Sequence, residues 1–515
     1  MVTTFNAGPA GAFLYTVEQV RQLDRLATQH LGISGFDLMR RAGQASWNLL
    51  RQRWPHARSL TVLCGGGNNG GDGYVIAGLA YQQGLSVQLY SLADPVGLKG
   101  EAAEAFRWAH SLGLEAKPWQ AGADLSGEVL VDAMLGIGGS GPVRGNYREA
   151  IDAINRSQRP VLAVDIPSGL AGDTGMPLGV AVRATLTLTF IGLKQGLLTG
   201  QAPDFTGELR FDGLDVPASV YQAVPAAGRR LDWPAVRGCI RPRPPCAHKG
   251  QFGRVLIVGG DEGMGGAALL AAEAAARCGA GLVQVATRAI HVPAVLARCP
   301  EVMAQAVRGR HDLAPLLERA DVVVIGPGLG RGAWSQQLLQ AILESDRPLV
   351  LDADALNLIA AQDLLGTLRD RPHLMTPHPG EAARLLNTAV AAIQADRFAA
   401  ISELQRQCGG VVLLKGAGTL IQGGNERLPS LAHTGNPGMA TGGMGDVLSG
   451  MLGALWAQGL DPRTATEVGA CLHGEAADRA AVEQGYISLL PQDLLNFLPQ
   501  VLRACDPRSQ NHQSS

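Results

Sequence analysis

Again and again in this chain a short apolar run rich in β-branched residues stops at a cluster of glycines, and a helical stretch begins soon after. Leu60 to Cys64 leads into Gly65-Gly-Gly-Asn-Asn-Gly-Gly-Asp-Gly73, Arg254 to Val258 into Gly259-Gly260, and Asp321 to Ile325 into Gly326-Pro-Gly-Leu-Gly330. Few folds tolerate this pattern. A buried strand ending in a loop that only glycine can enter, followed by a helix N-terminus, is the ligand-binding corner of an α/β sheet. The 67 glycines of the 515 residues have no collagen period and cluster at such corners, so the chain is read as α/β.

Further apolar runs lie at Val129 to Val131, Pro160 to Asp165, Pro348 to Asp352 and Gly410 to Leu414, with helical or loop stretches between them. Strands alternating with helices predict mainly parallel sheets. The length exceeds one ordinary core, and the alternation occurs in two blocks, which predicts two domains. Between the blocks, Pro217, Pro225, Pro234, Pro242, Pro244 and Pro245 mark a connector, because proline withholds an amide and fixes φ. The boundary is placed at 224, giving domains 1–224 and 225–515.

Charge excludes some partners. Lys and Arg number 43 against 45 Asp and Glu, so no field draws the whole chain onto nucleic acid or an anionic membrane, and a small-molecule ligand is expected. The eight cysteines form no Cys-x-x-Cys pair, Met1 to Thr16 has no basic-then-apolar leader, and no run of about 18 apolar residues occurs. A cytoplasmic location and a homo-oligomer are expected.

In the first block Gly65, Gly67 and Gly70 satisfy G-x-G-x-x-G between a strand and a helix expected over Tyr74 to Ala80. A plain dinucleotide dehydrogenase fits poorly, since no acidic residue ends the next strand, Leu85 to Leu92. The segment Gly67-Asn-Asn-Gly-Gly-Asp-Gly73 resembles the signature of the YjeF N-terminal family of NAD(P)HX epimerases. Leu38-Met39 with Arg41-Ala-Gly43, Val131-Asp-Ala-Met-Leu-Gly136, Val164-Asp-Ile-Pro-Ser-Gly169 with Asp173-Thr-Gly175, and Phe190 to Lys194 continue the resemblance in order. It implies a Rossmann-like three-layer sandwich in which Asn68, Asn69, Gly70, Gly71 and Asp72 hold the substrate. It further implies that Asn69, Asp132 and Ser168 surround a potassium ion and that Asp165 faces the reacting ring. Inversion at C6 of the hydrated nicotinamide needs an acid and base, for which Asp165 is the candidate and Lys194 the second. Helix or turn capping is the alternative for Asp132 and Asp165. Gly136, Ile137, Gly138, Gly139, Ser140 and Gly141 stand where the family begins Gly-Thr-Gly-Leu, and are expected to touch substrate in their own way.

In the second block Ala440-Thr-Gly-Gly-Met-Gly-Asp-Val-Leu-Ser-Gly450 runs a glycine turn into an apolar helix with an acid in its first turn. Amides from Gly443 to Asp446 can stabilise a phosphate, and the Asp446 carboxylate can accept a proton from a substrate hydroxyl, unless Asp446 merely caps its helix. The motif resembles ribokinase-like proteins, and His248-Lys-Gly250, Gly265-Gly-Ala267, Asp352-Ala-Asp-Ala-Leu-Asn357, Thr376-Pro-His-Pro-Gly-Glu381, Leu414-Lys-Gly-Ala-Gly-Thr419 and Gly435-Asn-Pro437 narrow this to the NAD(P)HX dehydratases. The resemblance implies that Ala267, Gly328, His378 and Asp446 touch the hydrated cofactor. Lys415, Gly416, Ala417, Gly418, Thr419 and Gly445 then hold an adenine nucleotide, taken as ADP because fused two-domain relatives use it. Alone, His378 reads equally as a turn histidine and Lys415 as a solvated lysine. Magnesium is expected with the nucleotide, near Glu381. The expected overall reaction epimerises NADHX and NADPHX and dehydrates the S form with ADP. The alternatives are a vitamin-type kinase, separated by whether a stable phosphorylated product is released, and a first domain that only binds, as in messenger-RNA decapping scaffolds.

Overall fold

The computed structural model describes residues 9–139, 141–424 and 426–506. The chain divides into two compact units, Met1–Arg230 and Leu231–Ser515.

In the first unit β1 (Phe13–Leu14) precedes the capped helix Val17–Leu31, where the Thr16 hydroxyl accepts from the Gln19 amide at 3.2 Å and the Gln19 side chain accepts from the Thr16 amide at 2.8 Å. The strands that follow are β2 (Ser59–Cys64), β3 (Ser86–Ser91), β4 (Ala116–Pro118), β5 (Val129–Ala133), β6 (Val161–Val164), β7 (Leu186–Phe190), β8 (Glu208–Asp212) and β9 (Gly228–Leu231). β1 pairs with β9 antiparallel, Phe13 opposite Arg229. β2 to β8 form one parallel sheet in the order β4-β3-β2-β5-β6-β7-β8. From β2 the chain therefore winds outward one way and then, from β5, the other. With right-handed crossovers, this reversal puts helices on both faces. Leu60, Val62, Cys64, Val131 and Ala133 pack in one core and Leu63 and Leu130 in another, as a strand covered on both sides requires.

The second unit repeats the plan. Its strands are β10 (Arg254–Val258), β11 (Leu282–Thr287), β12 (Met303–Ala306), β13 (Val322–Ile325), β14 (Leu349–Leu351), β15 (His373–Met375), β16 (Val411–Leu414), β17 (Thr419–Gly423) and β18 (Glu426–Ala432). They run β18-β17-β16-β15-β14-β13-β10-β11-β12, parallel from β16 to β12, with β17 and β18 antiparallel. The apolar helix Met444–Ala457 packs on Gly265–Arg277 so closely that a Cβ on Gly450 would lie 2.0 Å from the Ala271 carbonyl oxygen.

Both units thus reverse winding beside their first sheet strand, between β2 and β5 and between β10 and β13. Such a switch point opens a crevice at the C-terminal strand ends. Both crevices are floored by glycine: a Cβ on Gly65 would meet the Met134 carbonyl oxygen at 1.8 Å, and one on Gly259 the Pro327 carbonyl oxygen at 2.0 Å. One expectation changes here. The helix after β2 starts at Asn68 rather than Tyr74, so Asn68 to Asp72 are its first turns and only Gly65 to Gly67 form the loop. No helix among the described residues is long and apolar enough to cross a membrane.

Candidate active sites

The first crevice is lined from above by the start of helix Asn68–Gln82, whose N-cap, Gly67, offers no side-chain cap. Its leading amides are available to an anion. Asn69 is buried, and both polar atoms of its amide bond to nothing among the described residues. Buried polar groups almost always have partners, so this amide points to an absent ligand. Asn69 also lies against Gly136, where a Cβ would sit 3.1 Å from its own.

Asp132, at the end of β5, is fully buried. Its carboxylate accepts from the Ser168 hydroxyl at 2.5 Å, the Ser168 amide at 2.8 Å and the Met134 amide at 3.3 Å, and burial raises its pKa to about 6. The Ser168 hydroxyl also accepts from the Leu135 amide at 2.8 Å. Asp132 therefore does cap a turn, and in doing so it ties Ser168 to the turn after β5.

Asp165 follows β6 in the left-handed region, φ 65°, which aspartate tolerates better than most residues. This backbone turns its carboxylate onto Lys194, whose side chain is 1% exposed and also donates to the Thr189 hydroxyl at 3.0 Å and the Phe190 carbonyl at 3.2 Å. Two further carboxyls share this field. Burial raises Asp72 well above the carboxylate range, with Asp165 and Asp24 adding to it, and burial raises Asp24 to about 6 against the pull of Lys194. Sequence reasoning passed over Asp24. Its signal was there: it falls within the stripe of Val20, Leu23 and Ala27 that helix Val17–Leu31 buries.

Gly136, Gly139 and Gly141 line a cavity of about 190 Å³ with Leu135, Tyr147 and Gly169, while the Ile137 carbonyl accepts from Arg21 at 2.9 Å. Gly138 is outside that lining, and Ser140 lies outside the described residues. A larger cavity of about 760 Å³, lined by Arg40, Arg41, Gln44, Trp108 and Arg210 among others, contains none of the candidate residues. Size alone does not mark the chemistry.

In the second unit the chemistry gathers at the ends of β13 to β16. Asp352, after β14, is 1% exposed and accepts from Lys415 Nζ at 2.7 Å, the Thr376 hydroxyl at 2.7 Å and the Ser449 hydroxyl at 2.6 Å. Burial works against its charge, but these partners hold its pKa below the usual value. Lys415 is therefore a partly buried ion-pair partner, not a solvated lysine, and its Nζ lies 3.2 Å from where a Cβ on Gly445 would be. Asp352 was quoted within a motif but given no role; that Thr376, Lys415 and Ser449 converge on it is a long-range fact.

Asp446 sits in the first turn of helix Met444–Ala457 behind the left-handed Gly443, φ 95°, and makes no cap. Burial, with Asp352 nearby and against the pull of Lys415, raises its pKa to about 7. It is poised to exchange a proton at neutral pH. His378 is half-exposed and does cap its helix, its Nδ1 accepting from the Gly380 and Glu381 amides at 2.9 and 3.3 Å. That bonding leaves Nε2 as the protonated nitrogen of the neutral ring. Glu381 closes the box by accepting from the His378 amide at 2.8 Å, and burial raises it to about 7.

Ala267 and Gly328 meet at the β10–β13 crevice, a Cβ on Gly328 falling 3.0 Å from that of Ala267. The same loop abuts Asp352 at Gly326, and Asp354, which raises Asp446, accepts from the Gly330 amide at 2.9 Å. Ala267, Gly328 and Asp446 therefore border one crevice, with Lys415 to Thr419 beyond Asp352. Among the described residues no group of three or more His, Cys, Asp or Glu side chains could hold a metal ion.

Comparison with known families matches residues 255–500 to the NAD(P)H-hydrate dehydratase model and residues 35–196 to that of the YjeF-related protein N-terminus. A bifunctional NAD(P)H-hydrate repair enzyme of Coxiella burnetii is 49% identical over 485 residues, 94% of this chain and 98% of that protein. That of Escherichia coli is 42% identical over 508 residues, covering 98% and 96%. Among solved structures, an ADP/ATP-dependent NAD(P)H-hydrate dehydratase from Bacillus subtilis, co-crystallised with ATP and magnesium, is 30% identical with a TM-score of 0.48 over 53% of this chain and 98% of that one. With relatives this similar along nearly its whole length, the chain belongs to the bifunctional NAD(P)H-hydrate repair enzymes.

Proposed function

We propose that the first unit interconverts the R and S forms of hydrated NADH and NADPH, and that the second dehydrates the S form at the expense of ADP. The observation that supports this most is Asp446: a carboxyl raised to about 7 in the first turn of an uncapped helix, beside a partly buried, ion-paired lysine. As base it takes the proton of the C6 hydroxyl, whose oxygen forms a bond to the terminal phosphorus of ADP as the bond to AMP breaks. The C6–O bond then breaks with push from the ring nitrogen, phosphate leaves, and loss of a C5 proton restores the dihydropyridine. The Gly443 to Asp446 amides meet the phosphoryl charge. Lys415 to Thr419 and Gly445 hold the nucleotide, and Ala267, Gly328 and His378 hold the hydrated cofactor. Magnesium would be held by the nucleotide's own phosphates, whose charge it would offset, near Glu381, which accepts from the His378 amide and lies 4.0 Å from Lys415.

In the first unit Asp165, ion-paired to Lys194, gives a proton to the C6 hydroxyl as the ring nitrogen expels it and takes one from the water that returns on the other face, with Asp72 and Asp24, both raised by burial, beside it. The helix at Asn68 and the Gly136 to Gly141 turn receive the rest of the substrate. Potassium fits at the orphaned Asn69 amide with Asp132 and Ser168, where it would bind oxygen ligands and anchor negative charge. We assign the two activities to domains 1–224 and 225–515, a boundary six residues before the break between the compact units at Arg230, and the reaction to the cytoplasm. The test is S-NADHX with ADP: equal yields of NADH, AMP and phosphate support the reading, and accumulation of a stable phosphorylated cofactor contradicts it in favour of a kinase.

A further inference from the structure

The mechanism leaves the buried cation Arg397 unused. Arg397 opens helix Arg397–Cys408, and only 1% of it is exposed. Its guanidinium donates to the carbonyl oxygens of Leu414 at 3.2 Å, Lys415 at 3.3 Å and Gly418 at 3.3 Å, and to Gln394 Oε1 at 3.3 Å. Burial lowers its pKa to about 10, which leaves it charged at neutral pH. The chain from 414 to 418 is wrapped around this fork. Gly416 passes so close, at φ 142°, that a Cβ there would lie 2.8 Å from Nη1, so no other residue fits.

In a trans peptide the C=O and the next N–H point opposite ways. Turning the Lys415 carbonyl onto Arg397 therefore turns the Gly416 amide to the other face, and that amide donates to nothing among the described residues. The loop presents a donor outward and has a positive charge directly behind it. A planar five-donor fork can gather several carbonyls at once, which an ammonium cannot.

We propose that Arg397 is a positioning residue for the nucleotide: by gathering the carbonyls of residues 414 to 418 it forms the loop that receives the diphosphate, and so sets nucleotide affinity rather than the rate of the bound complex. The inference rests on the assignment of Lys415 to Thr419 to the nucleotide. In the full-length protein, Arg397→Lys keeps a charge but loses the fork. Its KM for ADP rises roughly tenfold to a hundredfold, the scale of one or two lost charged hydrogen bonds, while KM for NADHX and kcat at saturating ADP stay at the parent values. Lys415→Gln, run alongside, tests the assignment itself. If Lys415→Gln weakens ADP and Arg397→Lys does not, or Arg397→Lys lowers kcat, Tm and both affinities together, the positioning role is overturned. If neither variant changes the KM for ADP, the loop assignment falls and takes the proposal with it.

Discussion

Each crevice pairs a lysine, buried in the first and partly buried in the second, with an aspartate at the end of a parallel strand, yet the two pairs are wired differently. In the first unit Lys194 bonds Asp165, the carboxylate proposed to react. In the second, Lys415 bonds Asp352, which is itself held by two hydroxyls, and the reacting Asp446 stands apart with its pKa at about 7. The difference follows from the chemistry. Epimerisation must give a proton to the departing C6 hydroxyl and take one from the water that returns on the other face, which suits a carboxylate with a proton donor on it. Phosphoryl transfer needs a free base and a fixed cation for the phosphates, and Asp352 keeps the lysine in place without occupying the base.

The largest effects should separate the two centres. Asp446→Asn should lower nucleotide-driven NADH recovery by about 10²- to 10⁴-fold, the scale of a lost general base, without changing R-to-S interconversion. Asp165→Asn, which tolerates the same positive φ, should do the reverse while substrate binding persists. Interconversion at the parent rate would remove Asp165 from its role. Next, Lys415→Met should destabilise the second unit by about 3 kcal/mol, because Asp352 is left as a buried carboxylate without its cation; equal denaturation midpoints would show that the pair contributes nothing.

The pH dependence sharpens the comparison further. Dehydration should fall as pH drops below about 7, where Asp446 takes up a proton. Glu381 also titrates near 7, so Glu381→Gln should retain that limb; its disappearance would move the base to Glu381. Because Asp446 has a raised folded pKa, its charge costs stability fully above about 7 and not at all below the unfolded value of 3.8. Asp446→Asn should therefore raise Tm at pH 8 and leave it unchanged at pH 3, the reverse of what an aspartate held ionised by a salt bridge would give. Smallest of all, Ser168→Ala should cost about 1 kcal/mol through the lost Asp132 bond, read by denaturant midpoint, and should spare dehydration.

The strands were legible because burial on both faces writes them as continuous apolar runs: Leu60 to Cys64 and Arg254 to Val258 are strands at those residues. The glycine corners were legible for the same kind of reason, since close approach to Met134 and Pro327 permits nothing larger. Helix start was less so. Asn68 to Asp72 contain two glycines and two asparagines, which read locally as loop, yet they open the helix. The shared winding of the two sheets left no repeat in the sequence, because topology constrains burial and not identity. Asp24 and Arg397 were missed altogether. Each is an ordinary surface residue type: Asp24 is marked only by its place in the apolar stripe of its helix, and Arg397 is buried by partners far along the chain, Leu414 to Gly418.

The most direct test of two separable centres is complementation by NADH absorbance, starting from mixed R and S NADHX with ADP. Asp446→Asn protein alone should recover no NADH, and Asp165→Asn protein alone should stall when the S form is exhausted. Their mixture should reach the full yield of the parent. Failure of the mixture to pass the Asp165→Asn plateau, or full yield at the parent rate from Asp165→Asn alone, would contradict the assignment.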